Sequence, residues 1–285
     1  MSEDFEFVGS QIMPTNLEQI KALKASKGKT IDEMISDSTI ATDVTSVSVS
    51  FLSRKEQLEA LLPPGKKLTV QGQPVVSVTA VYQGALLWLA GRGYNLILVN
   101  FPVAFRGKKE QVIGSFNYVV WENMTEPILG GRETLGWPKI YAEIPPARVL
   151  QDKLHVSASW YGFNFLDMSL ENIETLTLAE ILERQKGAQP NAGIISHKYV
   201  MKTGHPEEAD ADYLTISTQI GAKPAVPKEI SVGKAKIQFH KATWEQLPTM
   251  SHIINKLADL EVKETYDGVI SKYTGGSMGA VKILE

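Results

Sequence analysis

One lysine near the middle of the chain stands in a setting that could support covalent chemistry. Lys139 directly follows Trp137 and Pro138 and precedes Ile140 and Tyr141, so its sequence neighbours are apolar. Burial disfavours the charged form of an amine, and a neutral lysine amine attacks ketones to form a Schiff base. The alternative is a solvated surface lysine, or one whose ammonium reaches water from the edge of an apolar patch. The first interpretation predicts that Lys139 is a nucleophile.

The segment that ends at Lys139 resembles a known signature. Residues 131–139 read Gly-Arg-Glu-Thr-Leu-Gly-Trp-Pro-Lys, which is similar to the pattern G-R-E-x-x-G-[FWY]-P-K of the acetoacetate decarboxylase family. In that family the lysine after the proline is the Schiff-base nucleophile, and its enzyme is the usual example of a lysine activated by an apolar pocket or a neighbouring cation. The resemblance runs from about Thr42 to the C-terminus. It implies an enzyme that acts through Lys139 without a cofactor.

The sequence departs from the family in the residues that charge its pocket. The family has a second lysine directly after the nucleophile, where this chain has Ile140. It also has acidic residues on earlier strands, where this chain has Thr79 and Leu96 or Asn95. The arginine of the family's first barrel strand falls near Val44. The comparison implies a drier and less charged pocket, similar to that of superfamily members that condense pyruvate with aldehydes.

Residues close to the nucleophile are candidates for substrate binding or support. The guanidinium of Arg132 matches a carboxylate with two hydrogen bonds, so it could hold the substrate or the loop. Arg132 and its neighbour Glu133 could also form a solvated pair or a structural salt bridge. Tyrosines on strands can donate hydrogen bonds, although most are core or rim residues. The predicted support set is Arg132, Glu133, Trp137, Tyr94, Leu96, Tyr118 and Ile140, with Tyr141 as a further donor.

Composition argues against several classes of protein. The 285 residues carry a net charge of -3 and no block of lysine and arginine, which argues against a nucleic-acid surface. The absence of cysteine excludes disulfides and thiolate chemistry. The five histidines show no ligand spacing, so we predict no metal site. The acidic start of the chain and the lack of a long apolar window predict a cytoplasmic protein that does not enter the membrane.

The elements that must position Lys139 are mainly strands. Apart from a helix at 55–62, the segments between Thr42 and Trp121 alternate with period two. This pattern favours a largely antiparallel sheet or a closed barrel over a doubly wound fold. We therefore predict an α+β protein, mainly antiparallel β, with a closed barrel-like sheet and a few peripheral helices. Residues 1–40 are predicted as an N-terminal arm and residues 41–285 as the acetoacetate decarboxylase-like domain.

Local signals give more specific predictions. Residues 126–142 are predicted as a loop that follows an apolar strand at 116–121. Ser53 is predicted to cap the helix after it. A helix at 176–185 is predicted to begin at Thr175 or Thr177, where Thr177 and Glu180 could form a capping box. The acidic stretch 203–212 is predicted as a surface loop.

These observations favour one function and leave two alternatives. The first is a Schiff-base-forming lyase that acts on a small keto acid, by decarboxylation or by aldol and dehydration chemistry. The second is a classical acetoacetate decarboxylase whose missing charges come from other residues. The third is a small-molecule binding or cyclisation protein without covalent chemistry. The resemblance also implies a homo-oligomer.

Overall fold

Fifteen strands in a single sheet dominate the described part of the chain. The computed structural model describes residues 43–186, 191–220, 222, 224–276 and 279–285. The predicted arm, with helical spacing at 16–25 and 30–35, lies outside these residues. Within them, no helix is long and apolar enough to cross a membrane.

The elements follow one another in this order. The strands are β1 (Asp43–Leu52), β2 (Leu68–Val70), β3 (Val75–Gly84), β4 (Tyr94–Arg106), β5 (Gln111–Glu122), β6 (Lys139–Tyr141), β7 (Arg148–Leu150), β8 (Lys153–Trp160), β9 (Phe163–Thr175), β10 (Gly193–Lys202), β11 (His205–Thr218), β12 (Ala225–Phe239), β13 (Glu264–Thr265), β14 (Gly268–Gly275) and β15 (Val281–Ile283). The helices are α1 (Lys55–Glu59), α2 (Thr125–Gly130), α3 (Leu178–Gln185) and α4 (Ser251–Ala258), with a π-helical turn at Gly131–Leu135 and a 3-10 turn at Leu87–Leu89.

The strand order is β15-β11-β10-β5-β4-β3-β1-β14-β12-β9-β8-β7, with β2, β6 and β13 attached beside β4, β5 and β1. Neighbours are antiparallel except that β5 runs parallel to β6 and to β10. This confirms the predicted mainly antiparallel sheet. The end strands β15 and β7 do not pair with each other in the described residues, so closure into a barrel stays a prediction.

One face of the central strands forms the main core. Val49 pairs with Val78 across β1 and β3, and Val78 pairs with Val99 across β3 and β4. All three valines are fully buried. The rings of Trp121 and Phe165 extend this core, with their centroids 5.1 Å apart. Successive side chains of a strand alternate between faces, so the other residues of these strands belong to a second face.

In the middle of β1 and β3 that second face is polar and only partly buried, whereas on β4 and β5 it also carries the buried apolar side chains of Leu96 and Val120. It carries Ser48 and Ser50 on β1 and Ser77 and Thr79 on β3, and each of these is half-buried. A strand with one apolar and one polar face gives the period-two pattern seen in the sequence. The contrast matters for function because Lys139 lies on this second face.

Three local predictions had different outcomes. The capping box is confirmed, since the Thr177 side chain accepts from the Glu180 amide and the Glu180 carboxylate accepts from the Thr177 amide. The Ser53 cap is wrong: α1 begins after Arg54 without a side-chain cap, and Ser53 is buried. The surface loop at 203–212 is wrong as well, because most of it belongs to β11 and pairs with β10. Its side chains project into water, so its polar sequence resembles a loop although its main chain forms a ladder.

Candidate active site

The short strand β6 fixes the direction in which Lys139 points. It runs parallel to the end of β5, and Lys139 pairs with Val120, Ile140 with Trp121, and Tyr141 with Glu122. Alternation along the strand therefore separates Lys139 from Ile140. Ile140 packs against the main core, and the lysine lies on the polar face. The predicted support residue Ile140 thus backs the strand from behind and does not line the same face as the amine.

The amine of Lys139 is buried and paired with a carboxylate. Its Nζ lies 2.7 Å from Oε1 of Glu122, and the two side chains are 6% and 0% exposed. At this distance the contact is an ion pair, although its angles fall outside those of a well-aligned hydrogen bond. Nζ also donates to the main-chain oxygen of Pro127 at 3.0 Å. The ring centroid of Trp137 lies 5.5 Å from Nζ, within range of a cation–π contact.

The carboxyl of Glu122 is shifted toward its protonated form. Burial raises its pKa, and the charge and close contact of Lys139 lower the pKa without offsetting the burial. A carboxylate with a raised pKa is a better proton acceptor. The 2.7 Å contact therefore places a proton-accepting carboxyl group beside the amine.

Tyr94 belongs to the same electrostatic environment. Burial raises the pKa of its hydroxyl strongly, the negative charge of Glu122 raises it further, and a hydrogen bond with Gln83 lowers it. Tyr94 therefore stays protonated at neutral pH. It packs with Leu96 in an apolar cluster that also contains Val120 and Trp137. The structure thus brings the predicted residues Tyr94, Leu96 and Trp137 to the face on which Lys139 lies.

A helical turn, where the sequence predicts a loop, makes room for the lysine. Helix α2 continues into the π-helical turn Gly131–Leu135, and Gly136 ends it at a φ of 72°. A Cβ at Gly131 would lie 2.3 Å from Cε and 2.6 Å from Nζ of Lys139. A Cβ at Gly130 would meet nothing within 4 Å. Gly131 is therefore needed for space, and π-helical turns often occur at functional sites.

The other signature residues hold the segment in place. Nη1 of Arg132 donates to the main-chain oxygen of Lys139 at 3.2 Å. The indole nitrogen of Trp137 donates to Oγ of Ser217 at 3.1 Å. Glu133 is exposed, and its main-chain oxygen accepts from Nζ of Lys198 at 2.6 Å. Arg132 is predicted to hold either the substrate or the loop, and in the structure its guanidinium contacts the loop.

Tyr118 lies in a groove that it shares with some of the other candidates but not with Lys139. It is the extra residue of a β-bulge in β5, and burial raises its pKa to about 12. It lines a groove of about 730 Å³ that Trp137 and Pro138 also border. Lys139 is not among the described residues that line this groove. The further lining residues are Ala60, Leu61, Leu62, Pro63, Pro64, Phe116, Asn117, Leu129, Arg132, Glu133, Gly136, His197, Lys198, Tyr199, Val200 and Lys256.

Sequence reasoning missed Glu122. The family pattern places acidic residues at the positions of Thr79 and of Leu96 or Asn95, and Leu96 lies directly opposite Glu122 across β4 and β5. The carboxylate therefore reaches the lysine from the neighbouring strand. The available signal was a charged residue that ends an otherwise apolar strand just before the signature. The pocket is thus more charged than the sequence indicated.

A metal-binding arrangement near Lys139 is not found among the described residues. Among the described residues, His205, Glu207 and Glu208 have donor atoms within 4.8 Å of one another, close enough to bind a metal ion, and all three are exposed at the start of β11.

These features define the class of protein. It is a β-rich protein whose mainly antiparallel sheet carries a buried lysine–glutamate pair behind a glycine-containing helical turn, and the lysine is a candidate nucleophile. The chain belongs to the acetoacetate decarboxylase family, because the family model "Acetoacetate decarboxylase (ADC)" matches residues 27–282. Members of this superfamily are enzymes. A comparison with curated protein sequences finds no match.

Several solved structures share this fold at low sequence identity. Acetoacetate decarboxylase from Legionella pneumophila is 16% identical with a TM-score of 0.66, and the match covers 87% of this chain and 86% of that one. An acetoacetate decarboxylase-like enzyme from Sphingomonas wittichii RW1 is 19% identical with a TM-score of 0.63, covering 87% and 94%. The enduracididine biosynthesis enzyme MppR complexed with pyruvate is 13% identical with a TM-score of 0.62, covering 87% and 90%. At these identities the likeness is one of fold.

Proposed function

We propose that this protein is a Schiff-base-forming carbon–carbon lyase that acts on a small keto acid through Lys139. The observation that supports this most is the buried amine 2.7 Å from the Glu122 carboxylate, whose pKa is raised by burial. A Schiff-base enzyme needs a neutral amine and a group that moves protons during the carbinolamine steps. Glu122 serves both needs.

The reaction begins with proton transfer from the Lys139 ammonium to Glu122. The neutral amine attacks the ketone carbon and forms a carbon–nitrogen bond, and a proton moves from nitrogen to oxygen to give a carbinolamine. Glu122 returns its proton to that hydroxyl, which leaves as water, so an iminium and a carboxylate remain. The iminium withdraws electrons from the adjacent carbon–carbon bond. With a β-keto acid, carbon dioxide leaves and an enamine remains. With pyruvate, the Glu122 carboxylate instead takes a proton from the methyl carbon, and the enamine that forms adds to an aldehyde.

Two alternatives follow from specific observations. The amine is already engaged by Glu122 and Pro127, which favours a binding or cyclisation protein that needs no covalent step. A classical acetoacetate decarboxylase would need other residues to replace the second lysine, because Ile140 packs against the core. Labelling of Lys139 distinguishes the non-covalent alternative from the proposed function, and carbon dioxide release from acetoacetate distinguishes the classical decarboxylase.

Borohydride reduction in the presence of pyruvate or acetoacetate tests the proposal. We expect the mass of the reduced adduct on the peptide that contains Lys139, and no adduct in Lys139→Met. Lys198, which is partly exposed on β10, is the internal control and should stay unmodified. Absence of any adduct on Lys139 while both ligands still bind would favour the non-covalent alternative. Steady carbon dioxide release from acetoacetate would favour the classical decarboxylase. The homo-oligomer implied by the family is a separate proposal that sedimentation analysis tests.

A further inference from the structure

We infer that the polar face beyond Lys139 is a neutral hydrogen-bonding subsite that recognises hydroxyl or carbonyl groups on the substrate chain rather than a second charge. The inference rests on the proposed function, because it names the kind of substrate that Lys139 would receive.

The strand register places hydroxyl groups in the same row as the lysine. Lys139 pairs with Val120, Val120 with Leu98, Leu98 with Thr79, and Thr79 with Ser48. Paired residues of neighbouring strands share a face, so all five side chains point to the same side of the sheet. Three strand spacings separate the lysine and Thr79 main chains, about 14 Å in a flat sheet. A substrate held by the amine therefore extends over Leu98 and Val120 before it meets the hydroxyls.

The hydroxyls form two cross-strand pairs. Oγ of Ser48 lies 2.9 Å from Oγ1 of Thr79, and Oγ of Ser50 lies 2.8 Å from Oγ of Ser77. In each pair one hydroxyl donates to the other, so each pair keeps one free donor and several free acceptor positions. All four residues are half-buried although they lie in the middle of a sheet. They are thus available to a ligand.

Two asparagines extend the second hydroxyl pair toward the lysine side. Ser77 pairs with Asn100, and Asn100 with Asn117. The side-chain nitrogen of Asn117 lies 3.4 Å from Oγ of Ser196. The side-chain oxygens of both asparagines are buried and have no hydrogen-bond partner among the described residues. Buried polar groups are normally paired, so these amides point to a site completed by another polar molecule.

The described side chains around the hydroxyl pairs are uncharged. Those that β1, β3 and residues 94–102 of β4 present to this face are neutral: Val44, Ser46, Ser48, Ser50 and Leu52; Val75, Ser77, Thr79, Val81 and Gln83; Tyr94, Leu96, Leu98, Asn100 and Pro102. Arg106 is exposed at the far end of β4, and Lys198 on β10 donates to the main-chain oxygen of Glu133. Glu122 and Lys139 compensate each other. A carboxylate at the far end of a substrate would lose water without gaining a cation, whereas a hydroxyl would find both donors and acceptors.

Three α-oxo acids of the same length test this preference. α-Oxohexanoate has an apolar chain, its derivative with hydroxyls on the last three carbons has a donor-rich chain, and α-oxoadipate has a second carboxylate. We expect the hydroxylated compound to label Lys139 under borohydride at the lowest concentration, and α-oxoadipate at the highest. A preference for α-oxoadipate or for the apolar compound would overturn the inference.

Paired substitutions locate the preference in the structure. The double variant Ser48→Ala/Thr79→Val removes both partners of one hydroxyl pair, which leaves no orphaned group. We compare the half-saturating concentration of the apolar compound with that of the hydroxylated compound and take the ratio of the first to the second. The double variant should lower this ratio by about tenfold, as expected for the loss of one or two hydrogen bonds. The control is Thr175→Val/Ser231→Ala, which removes a hydroxyl pair 3.1 Å apart between β9 and β12 and should leave the ratio unchanged. Equal ratios in the two double variants would contradict the subsite.

Binding measured without borohydride separates this inference from the proposed function. Saturation-transfer NMR with the same three compounds reports contact with the protein whether or not a Schiff base forms. If no compound labels Lys139 but the hydroxylated one receives the strongest saturation, and loses it in Ser48→Ala/Thr79→Val, the subsite stands and the covalent function fails. If Lys139 is labelled equally by all three compounds, the covalent function stands and the subsite fails.

Discussion

Replacing Lys139 by methionine should expose the cost of the buried Glu122 carboxylate. Methionine keeps the apolar stem that packs beside Gly131 but removes the charge 2.7 Å from Oε1. Removing one partner of a buried ion pair costs about 3–5 kcal/mol. For a domain of this size that corresponds to a decrease in Tm of roughly 6–20 °C. Replacing both partners by neutral groups is often close to neutral, so Glu122→Gln/Lys139→Met should recover most of the loss.

The difference between these two variants should depend on pH in a defined direction. Burial already raises the pKa of Glu122 above the usual 4.5 with the lysine present. Without Lys139, both effects that lower this pKa disappear, and the pKa rises further. A carboxyl group whose pKa is raised by folding contributes stability that is present below its unfolded pKa and is lost as pH rises through its folded pKa. The free energy of unfolding of the single variant should therefore be close to that of the double variant near pH 4.5 and become lower than it as pH rises.

Thermal and urea unfolding of both variants across this pH range measure the effect. A constant gap between single and double variants would mean that the carboxylate does not titrate in the folded state. A double variant as unstable as the single one near pH 8 would mean that lost packing, and not an unpaired charge, explains the instability. Either result would refute the electrostatic account of the site.

The remaining predictions concern the support of the amine. Gly131→Ala should reduce labelling of Lys139 by more than about tenfold, because the new Cβ would meet Cε and Nζ of the lysine. Gly130→Ala places its Cβ in open space on the helix, so it should keep full labelling and raise the free energy of unfolding by about 0.4–1 kcal/mol. Peptide mass spectrometry measures the labelling and urea unfolding the stability, and equal labelling in both variants would contradict the steric role of Gly131. Trp137→Phe removes the donor to Ser217 and should lower stability by about 1–2 kcal/mol, which urea unfolding measures; an unchanged midpoint would show that this hydrogen bond adds nothing net.

Much of the architecture could be predicted from the sequence because it follows from local periodicity. Alternation along β1, β3, β4 and β5 reflects one buried and one polar face, and such a pattern can be read without knowing the neighbours of each strand. The capping box at Thr177 is also local, since its two hydrogen bonds join residues three apart. The stretch 203–212 failed because its strand conformation comes from pairing with β10 and not from its own side chains.

The nucleophile could be proposed from sequence because Lys139 and its signature are contiguous. The acid partner could not, because Glu122 and Lys139 are brought together by parallel pairing of β6 with β5, and register is a property of the assembled sheet. The same register decides that Ile140 faces the core while Lys139 and the hydroxyls share a face. Sequence alone determined which residues alternate and which amine could react. The tertiary structure decided what surrounds that amine, because burial and charge at a site depend on strands that are distant in the chain.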